Sequence, residues 1–255
     1  MKNVIISGAS SGIGRATAIR LGARGYRLAL LARRSEQLGA VAAEVLAAGG
    51  EALVRVVDVT DQRAVEEAVS AILEEWGYVD VVIANAGART EVRLDEASVE
   101  VLRANMETNF FGAAALTYAV LPSMKERRSG HLIFMNSLDG RWPNRLEGSY
   151  VATKHALLGF AGAARKEFGD FGVAVTSILP GRVDTPMIDH LQVPSIQPKM
   201  SPEVVAKAVV RAIDKRPAEM VLPPIRGRLL IATGVLFPRF ADKLADLLGL
   251  EGLPE

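Results

Sequence analysis

Tyr150 and Lys154 stand four residues apart in Tyr150-Val151-Ala152-Thr153-Lys154, the spacing that puts two side chains on one face of a helix. Such a pair can move a proton. A phenol with its free pKa of ~10 is a poor acid or base at neutral pH. An ammonium beside it favours the phenolate, so the Tyr150 pKa is expected to be lowered. A second group, Ser7-Gly8-Ala9-Ser10-Ser11-Gly12-Ile13-Gly14, follows the apolar run Val4-Ile5-Ile6 and leads directly into helical sequence. Glycines there let backbone N–H groups and a helix N-terminus approach a pyrophosphate with no Cβ in the way. Tight strand–helix turns use glycine for steric reasons too, but this position between the first strand and first helix points to a dinucleotide.

The cofactor is sharpened by the next run, Leu30-Leu31-Ala32-Arg33-Arg34. Dinucleotide folds use an acidic residue about 20 positions on for the ribose hydroxyls. Here the carboxylate is missing and two guanidiniums follow. Arg33, with Arg34 beside it, could grip a 2′-phosphate that a carboxylate would repel. NADP is therefore expected rather than NAD; the competing reading is a helix start with solvated arginines.

These groups need a frame. Aliphatic runs at Val4–Ser7, Arg27–Leu31, Ala52–Val57, Val79–Ala84, His131–Asn136, Val173–Leu179 and Met220–Leu222 alternate with helical stretches. The stretches are Ile13–Ala23, Ser35–Ala48, Gln62–Trp76, Ala97–Met124 and Ser149–Phe168. Strands apolar on both faces, each followed by a helix, predict an α/β, Rossmann-like doubly wound sheet of about seven parallel strands with helices on both faces. One domain is expected over residues 1–222. Residues 223–255 then form an amphipathic tail packed on the domain or a neighbouring subunit, with Phe240, Leu244, Leu247 and Leu248 as its apolar stripe.

Composition excludes several classes. With 30 Lys+Arg against 29 Asp+Glu in 255 residues, the net charge is +1, and no nucleic-acid partner is expected. The chain has no cysteine and 3 histidines without a His-x-x-x-His pair, so no metal site is expected. No apolar stretch reaches the ~20 residues of a membrane span, and the N-terminal run lacks the features of a secretory signal. A cytoplasmic setting is expected.

In order along the chain these motifs resemble the short-chain dehydrogenase/reductase family in its single-domain, NADP-preferring form. The resemblance covers roughly residues 2–222. It rests on Gly8, Gly12 and Gly14, Asp58-Val59, Asn85-Ala86-Gly87, Asn109, Ser137, Tyr150 with Lys154, and Pro180-Gly181 with Thr185. Ala84 and Asn136 depart from the residues frequent at their positions, but neither is a catalytic one. The resemblance implies a catalytic set of Asn109, Ser137, Tyr150 and Lys154. Tyr150 would protonate a ketone oxygen as NADPH delivers hydride, and Ser137 would hydrogen-bond that oxygen. Asn109 would sit at a helix distortion and bind a water of the lysine's proton relay. Cofactor contacts would come from Gly8, Ser10, Ser11, Gly12, Ile13, Gly14, Arg33, Arg34 and Asn85-Ala86-Gly87. Asp58 and Val59 would hold the adenine, Tyr150 and Lys154 the nicotinamide ribose side, and Pro180, Gly181, Val183 and Thr185 the nicotinamide end. Homodimers or homotetramers are also implied.

Substrate is expected outside the carboxyl ends of the strands, against Ser137, Leu138, Trp142 and Met187, near Arg89-Thr90, residues 141–146 and the loop Met187–Pro198 with Ile188, His190, Leu191, Val193 and Ile196. A mainly apolar pocket for a medium-sized, lipophilic ketone or alcohol is predicted. The expected activity is NADP(H)-dependent interconversion of a ketone or aldehyde with an alcohol. Alternatives are a 3-oxoacyl carrier or CoA thioester reductase, and a non-catalytic NADP-binding sensor.

Overall fold

A computed structural model describes residues 1–193, 198–247 and 253–254. Ile196 and Leu248, expected in the pocket and the tail stripe, lie outside them. The strands of the main sheet are β1 (Asn3–Ser7), β2 (Arg27–Ala32), β3 (Glu51–Val56), β4 (Val81–Ala84), β5 (Gly130–Met135), β6 (Val173–Pro180) and β7 (Glu219–Leu222). They form one sheet in the order β3-β2-β1-β4-β5-β6-β7, and every pairing is parallel. Helices α1 (Gly12–Gly22), α2 (Ser35–Ala47), α3 (Gln62–Trp76), α4 (Val99–Met106), α5 (Gly112–Glu126), α6 (Gly148–Gly169) and α7 (Pro202–Lys215) make the crossovers.

The expected doubly wound fold is the one found. Its cause is visible in β1, where Val4, Ile5 and Ile6 are all fully buried. Alternate residues face opposite sides of the sheet, so Ile5 joins an apolar cluster with α3, α5 and α6 residues, and Val4 and Ile6 join one with α1, α2 and α7 residues. Each such side chain contributes about 1.5–3 kcal/mol of burial. Strand order reverses between β1 and β4, opening a crevice at their carboxyl ends.

Two helical expectations need correction. The single helical stretch expected over Ala97–Met124 is α4 and α5, joined by a π turn at Glu107–Phe111, where the resemblance implied a distortion at Asn109. Within that turn, which has one residue more than an α turn, Asn109 is buried and bonds the backbone of Ala88. The tail is also two helices, α8 (Pro224–Leu236) and α9 (Pro238–Leu247), which meet at Phe237-Pro238. Phe240 and Leu247 of the expected stripe are 58% and 81% exposed. Instead the small side chains of Ala241 and Ala245 let α9 lie against Trp142, with Leu230 of α8 alongside. At Gly234 a Cβ would come within 2.7 Å of the Trp142 ring, so α8 also approaches the indole closely. No helix among the described residues is long and apolar enough to cross a membrane.

Candidate active site

The crevice at the β1/β4 reversal is a cleft of about 410 Å³. Its floor begins at the β1 end. Ser7 Oγ accepts from the N–H groups of Asn85 and Ala86, both at 3.0 Å, which ties β1 to the loop after β4. Asn85 Nδ2 donates back to the carbonyls of Ser7 and Gly8. A Cβ on Gly14 would stand 2.2 Å from Gly8 O, and one on Gly8 2.8 Å from Ala86 Cα. Gly8 also has φ +64°, a backbone state open to glycine. The turn therefore presents bare backbone at the N-terminus of α1, a cradle suited to a pyrophosphate.

At the end of β2, Arg34 reaches into this turn and donates to Ser10 Oγ at 2.9 Å and Ser11 Oγ at 2.7 Å. Arg33 instead stands 77% exposed, 3.7 Å from Asp58. Burial would raise the Asp58 carboxyl, but the Thr60 N–H and hydroxyl, with Arg33, hold it below the usual range.

The chemistry-bearing groups converge from α6 and from the segment that follows β5. Tyr150 and Lys154 lie in the first two turns of α6, both buried, with Lys154 Nζ 5.4 Å from the phenol ring centroid. Lys154 Nζ donates to Met135 O at 2.9 Å. Ser137, just past β5, is buried beside them, and its hydroxyl donates to Asp139 Oδ2 at 2.7 Å. Asn144 donates to the other Asp139 oxygen.

The lowered phenol pKa expected from the lysine is not what the structure gives. Burial first, then the Asp139 carboxylate, push the Tyr150 hydroxyl well above its ordinary range, although Ser137 bonding and Arg89 oppose this. Burial in turn draws Lys154 down to about 8, against the raising influence of Asp139. The Tyr150 phenol is thus neutral at pH 7.

Of the expected site residues, the cleft gathers Gly8, Ser10, Ser11, Gly12, Ile13, Arg33, Arg34, Asp58, Val59, Asn85, Ala86 and Gly87 on the nucleotide side. Ser137, Leu138, Trp142, Tyr150, Lys154, Pro180, Gly181, Val183, Thr185 and Met187 line the rest. Two expected residues stand behind the wall. Gly14 acts through the space it leaves, and Asn109 is buried with its amide bonded to both backbone groups of Ala88 and to Thr153 Oγ1.

The substrate half departs further from expectation. Ile188 and Leu191 line it, but Thr90, Arg141, Arg145, His190 and Val193 do not. Thr90 accepts from Asn105, Arg141 pairs with Glu219, Arg145 with Asp246, and His190 with Glu91. Nor is the pocket mainly apolar. Leu138, Trp142, Ile188, Leu191 and Leu230 face a polar wall of Arg89, Asp139, Asn144 and Glu147. Arg89 is buried between Glu91 and Glu147. Burial, then Asp139, push Glu147 up to about 7. Asp139, Glu147 and Leu230 were missed. The first two were signalled by position, two residues after Ser137 and three before Tyr150, where an acidic residue enters the same cleft.

Comparison with known proteins agrees with this geometry. A family model described as short chain dehydrogenase matches residues 2–194. The chain belongs to the short-chain dehydrogenase/reductase family. This family of oxidoreductases includes Dehydrogenase/reductase SDR family member 7 of Mus musculus, 34% identical over 192 residues, covering 73% of this chain and 57% of that one. The chain thus spans little more than half the length of that relative. A Fatty acyl-CoA reductase of Acinetobacter baylyi is 34% identical over 248 residues, 96% of this chain and 83% of that one. Among solved structures, an alcohol dehydrogenase from the archaeon Thermococcus sibiricus, complexed with 5-hydroxy-NADP, superposes with a TM-score of 0.80 at 33% identity. That match covers 87% of this chain and 95% of the other.

Proposed function

We propose that this short-chain dehydrogenase/reductase is an NADP(H)-dependent oxidoreductase that interconverts a carbonyl compound and its alcohol, with Tyr150 as general acid and base. The observation that carries the reading is the meeting of Ser137, Tyr150 and Lys154 with the bare glycine turn in one cleft. The close packing of turn, helix and β4 loop that Gly8 and Gly14 permit leaves a bare backbone turn suited to a dinucleotide, and the two arginines after β2 suit a 2′-phosphate. The archaeal relative's complex with an NADP derivative supports the same choice.

When bound, a nicotinamide would supply or accept the hydride. Tyr150 gives its hydroxyl proton to the carbonyl oxygen, so that hydride and proton together make the alcohol. In reverse the phenolate takes the alcohol proton. Lys154, held by Met135 O, keeps a positive charge beside the phenol and offers its remaining N–H groups to ribose hydroxyls. Asn109 fixes the Ala88 backbone and α6 behind this set.

Substrates with a lipophilic body and a polar feature near the reacting oxygen fit the two-sided pocket. A second reading, reduction of a fatty acyl thioester, is favoured by the near full-length similarity to the Acinetobacter reductase. NADPH oxidation followed by absorbance against a panel of ketones, aldehydes and acyl-CoA thioesters separates the two. Tyr150→Phe should lose at least 100-fold in kcat, given the usual size of acid–base assistance of about 10²–10⁴. Equal rates in both proteins reject the reading, and nucleotide binding without turnover of any substrate would favour a sensor.

A further inference from the structure

Ser137 has one hydroxyl proton, and an ionised Asp139 claims it. Ser137 Oγ donates to Asp139 Oδ2 at 2.7 Å, while the Asp139 N–H donates to Ser137 Oγ at 3.1 Å. With Asp139 as a carboxylate, an acceptor only, Ser137 can offer the cleft a lone pair and no proton. It can then receive an alcohol hydroxyl but cannot donate to a carbonyl oxygen. A neutral Asp139 reverses the bond: its own O–H donates to Ser137, and the serine proton is free to turn to the cleft.

The geometry points to Asp139 as a positioning residue that decides whether Ser137 offers the substrate oxygen a proton or a lone pair, and so whether the cleft holds the carbonyl or the alcohol more tightly. This deepens the proposed reaction and rests on it.

The surroundings make both states of Asp139 accessible. Ser137 and Asn144 bond it from its own segment. Glu147 faces it from the N-cap of α6, Tyr150 and Lys154 from the helix itself, Arg89 from the loop after β4 and Arg182 from the loop after β6. Burial raises the Asp139 carboxyl, whereas Ser137, Arg89, Asn144 and Arg182 lower it, and the balance lies above its ordinary range. Asp139 and Glu147 titrate as a pair. With Glu147 drawn up to about 7, the charge of this wall changes near neutrality.

Asp139→Asn imitates the neutral acid. Asn144 donates to the Oδ1 side and so keeps the new amide oxygen there, leaving the amide NH₂ to face Ser137. The probes are acetophenone with NADPH and 1-phenylethanol with NADP⁺. With coenzyme affinities unchanged, the reaction's equilibrium constant fixes the ratio of kcat/KM in the two directions, so the effect is read in KM and kcat separately. One hydrogen bond of about 1 kcal/mol corresponds to about fivefold. Asp139→Asn is expected to lower KM for the ketone and raise KM for the alcohol, each about fivefold. It should also flatten the fall of the ketone KM expected of the wild type on acidification, as Asp139 takes up its proton. Asp139→Ala, which leaves Ser137 free to rotate, should abolish that pH dependence without driving the two KM values apart. Two KM values that stay unchanged or move together in Asp139→Asn, with Tyr150→Phe inactive, overturn the role of Asp139. Wild-type turnover in Tyr150→Phe overturns instead the reading of the site on which it rests.

Discussion

Asn109 Nδ2 donates to Thr153 Oγ1 at 2.9 Å, joining the π turn to α6 across 44 residues. Thr153 Oγ1 in turn donates a hydrogen bond to Tyr150 O at 2.7 Å, so the asparagine is linked to the backbone of Tyr150. The same amide accepts from Ala88 N at 2.7 Å and donates to Ala88 O at 2.8 Å.

Asn109→Ala leaves those buried groups without partners, at a cost of about 2–4 kcal/mol. For a domain of this size, that corresponds to a fall in Tm of roughly 4–16 °C. Scanning calorimetry should show it, together with a loss of turnover as α6 shifts. A Tm within a degree of wild type would mean that water replaces the amide.

The frame was readable in sequence because its signals are local. Val4-Ile5-Ile6 followed by Gly8 is a buried strand and a tight turn wherever it folds. Tyr150 and Lys154 share a face by helical spacing alone. What escaped depends on distant partners. The resemblance implied a distortion at Asn109, but the partners that hold the π turn, Ala88 and Thr153, are not near it in the chain. The phenol's raised pKa comes from burial and from Asp139, contributed by a different segment. Likewise the Ala241–Ala245 face of α9 is defined by the indole of Trp142, not by hydrophobic periodicity.

Gly14 tests the cradle by steric means. Gly14→Ala places a methyl group 2.2 Å from Gly8 O and 2.8 Å from Asn85 Nδ2, where backbone must move. Loss of detectable NADPH binding by calorimetric titration is expected, with a stability loss of at least about 2 kcal/mol, in the range of overpacked cores. Gly39, in the exposed part of α2, has nothing within 4 Å of the same position. Gly39→Ala should therefore add up to about 1 kcal/mol from helix propensity and leave binding untouched.

The two arginines after β2 should behave differently. Arg33 projects into solvent beside Asp58, so Arg33→Asp should weaken NADPH at least tenfold and NADH less than threefold, as expected of a charged hydrogen bond worth about 1.5–3 kcal/mol. Arg34 braces Ser10 and Ser11 in the glycine turn, and Arg34→Ala should weaken both coenzymes. Dissociation constants for both nucleotides settle the assignment. Unchanged selectivity in Arg33→Asp would make that residue a bystander.

His131 connects acidity to folding. It is buried in β5 with Nε2 against Thr176 Oγ1 at 2.8 Å, and burial, then Arg216 and Lys2, draw its pKa down to about 4. The unfolded chain binds this proton near pH 6.5, the folded chain only near 4. Stability from this group is thus complete above about 6.5 and declines as pH falls toward 4, by up to about 3 kcal/mol. Urea unfolding between pH 7 and 4.5 should show the decline. His131→Gln, which keeps a partner for Thr176, should show a shallower one; an equal slope in both proteins would assign the effect to carboxylates.

Trp142 has a further use. It is one of 2 tryptophans, and it stands with one side in the cleft and the other under α8 and α9. Trp76 ends α3 and is covered by Arg27 at 4.8 Å, away from that wall. The molecule therefore carries an intrinsic fluorophore at the junction of pocket and tail, with a second indole as an internal reference. Its emission can register filling of the cavity or lifting of the terminal hairpin without any attached dye.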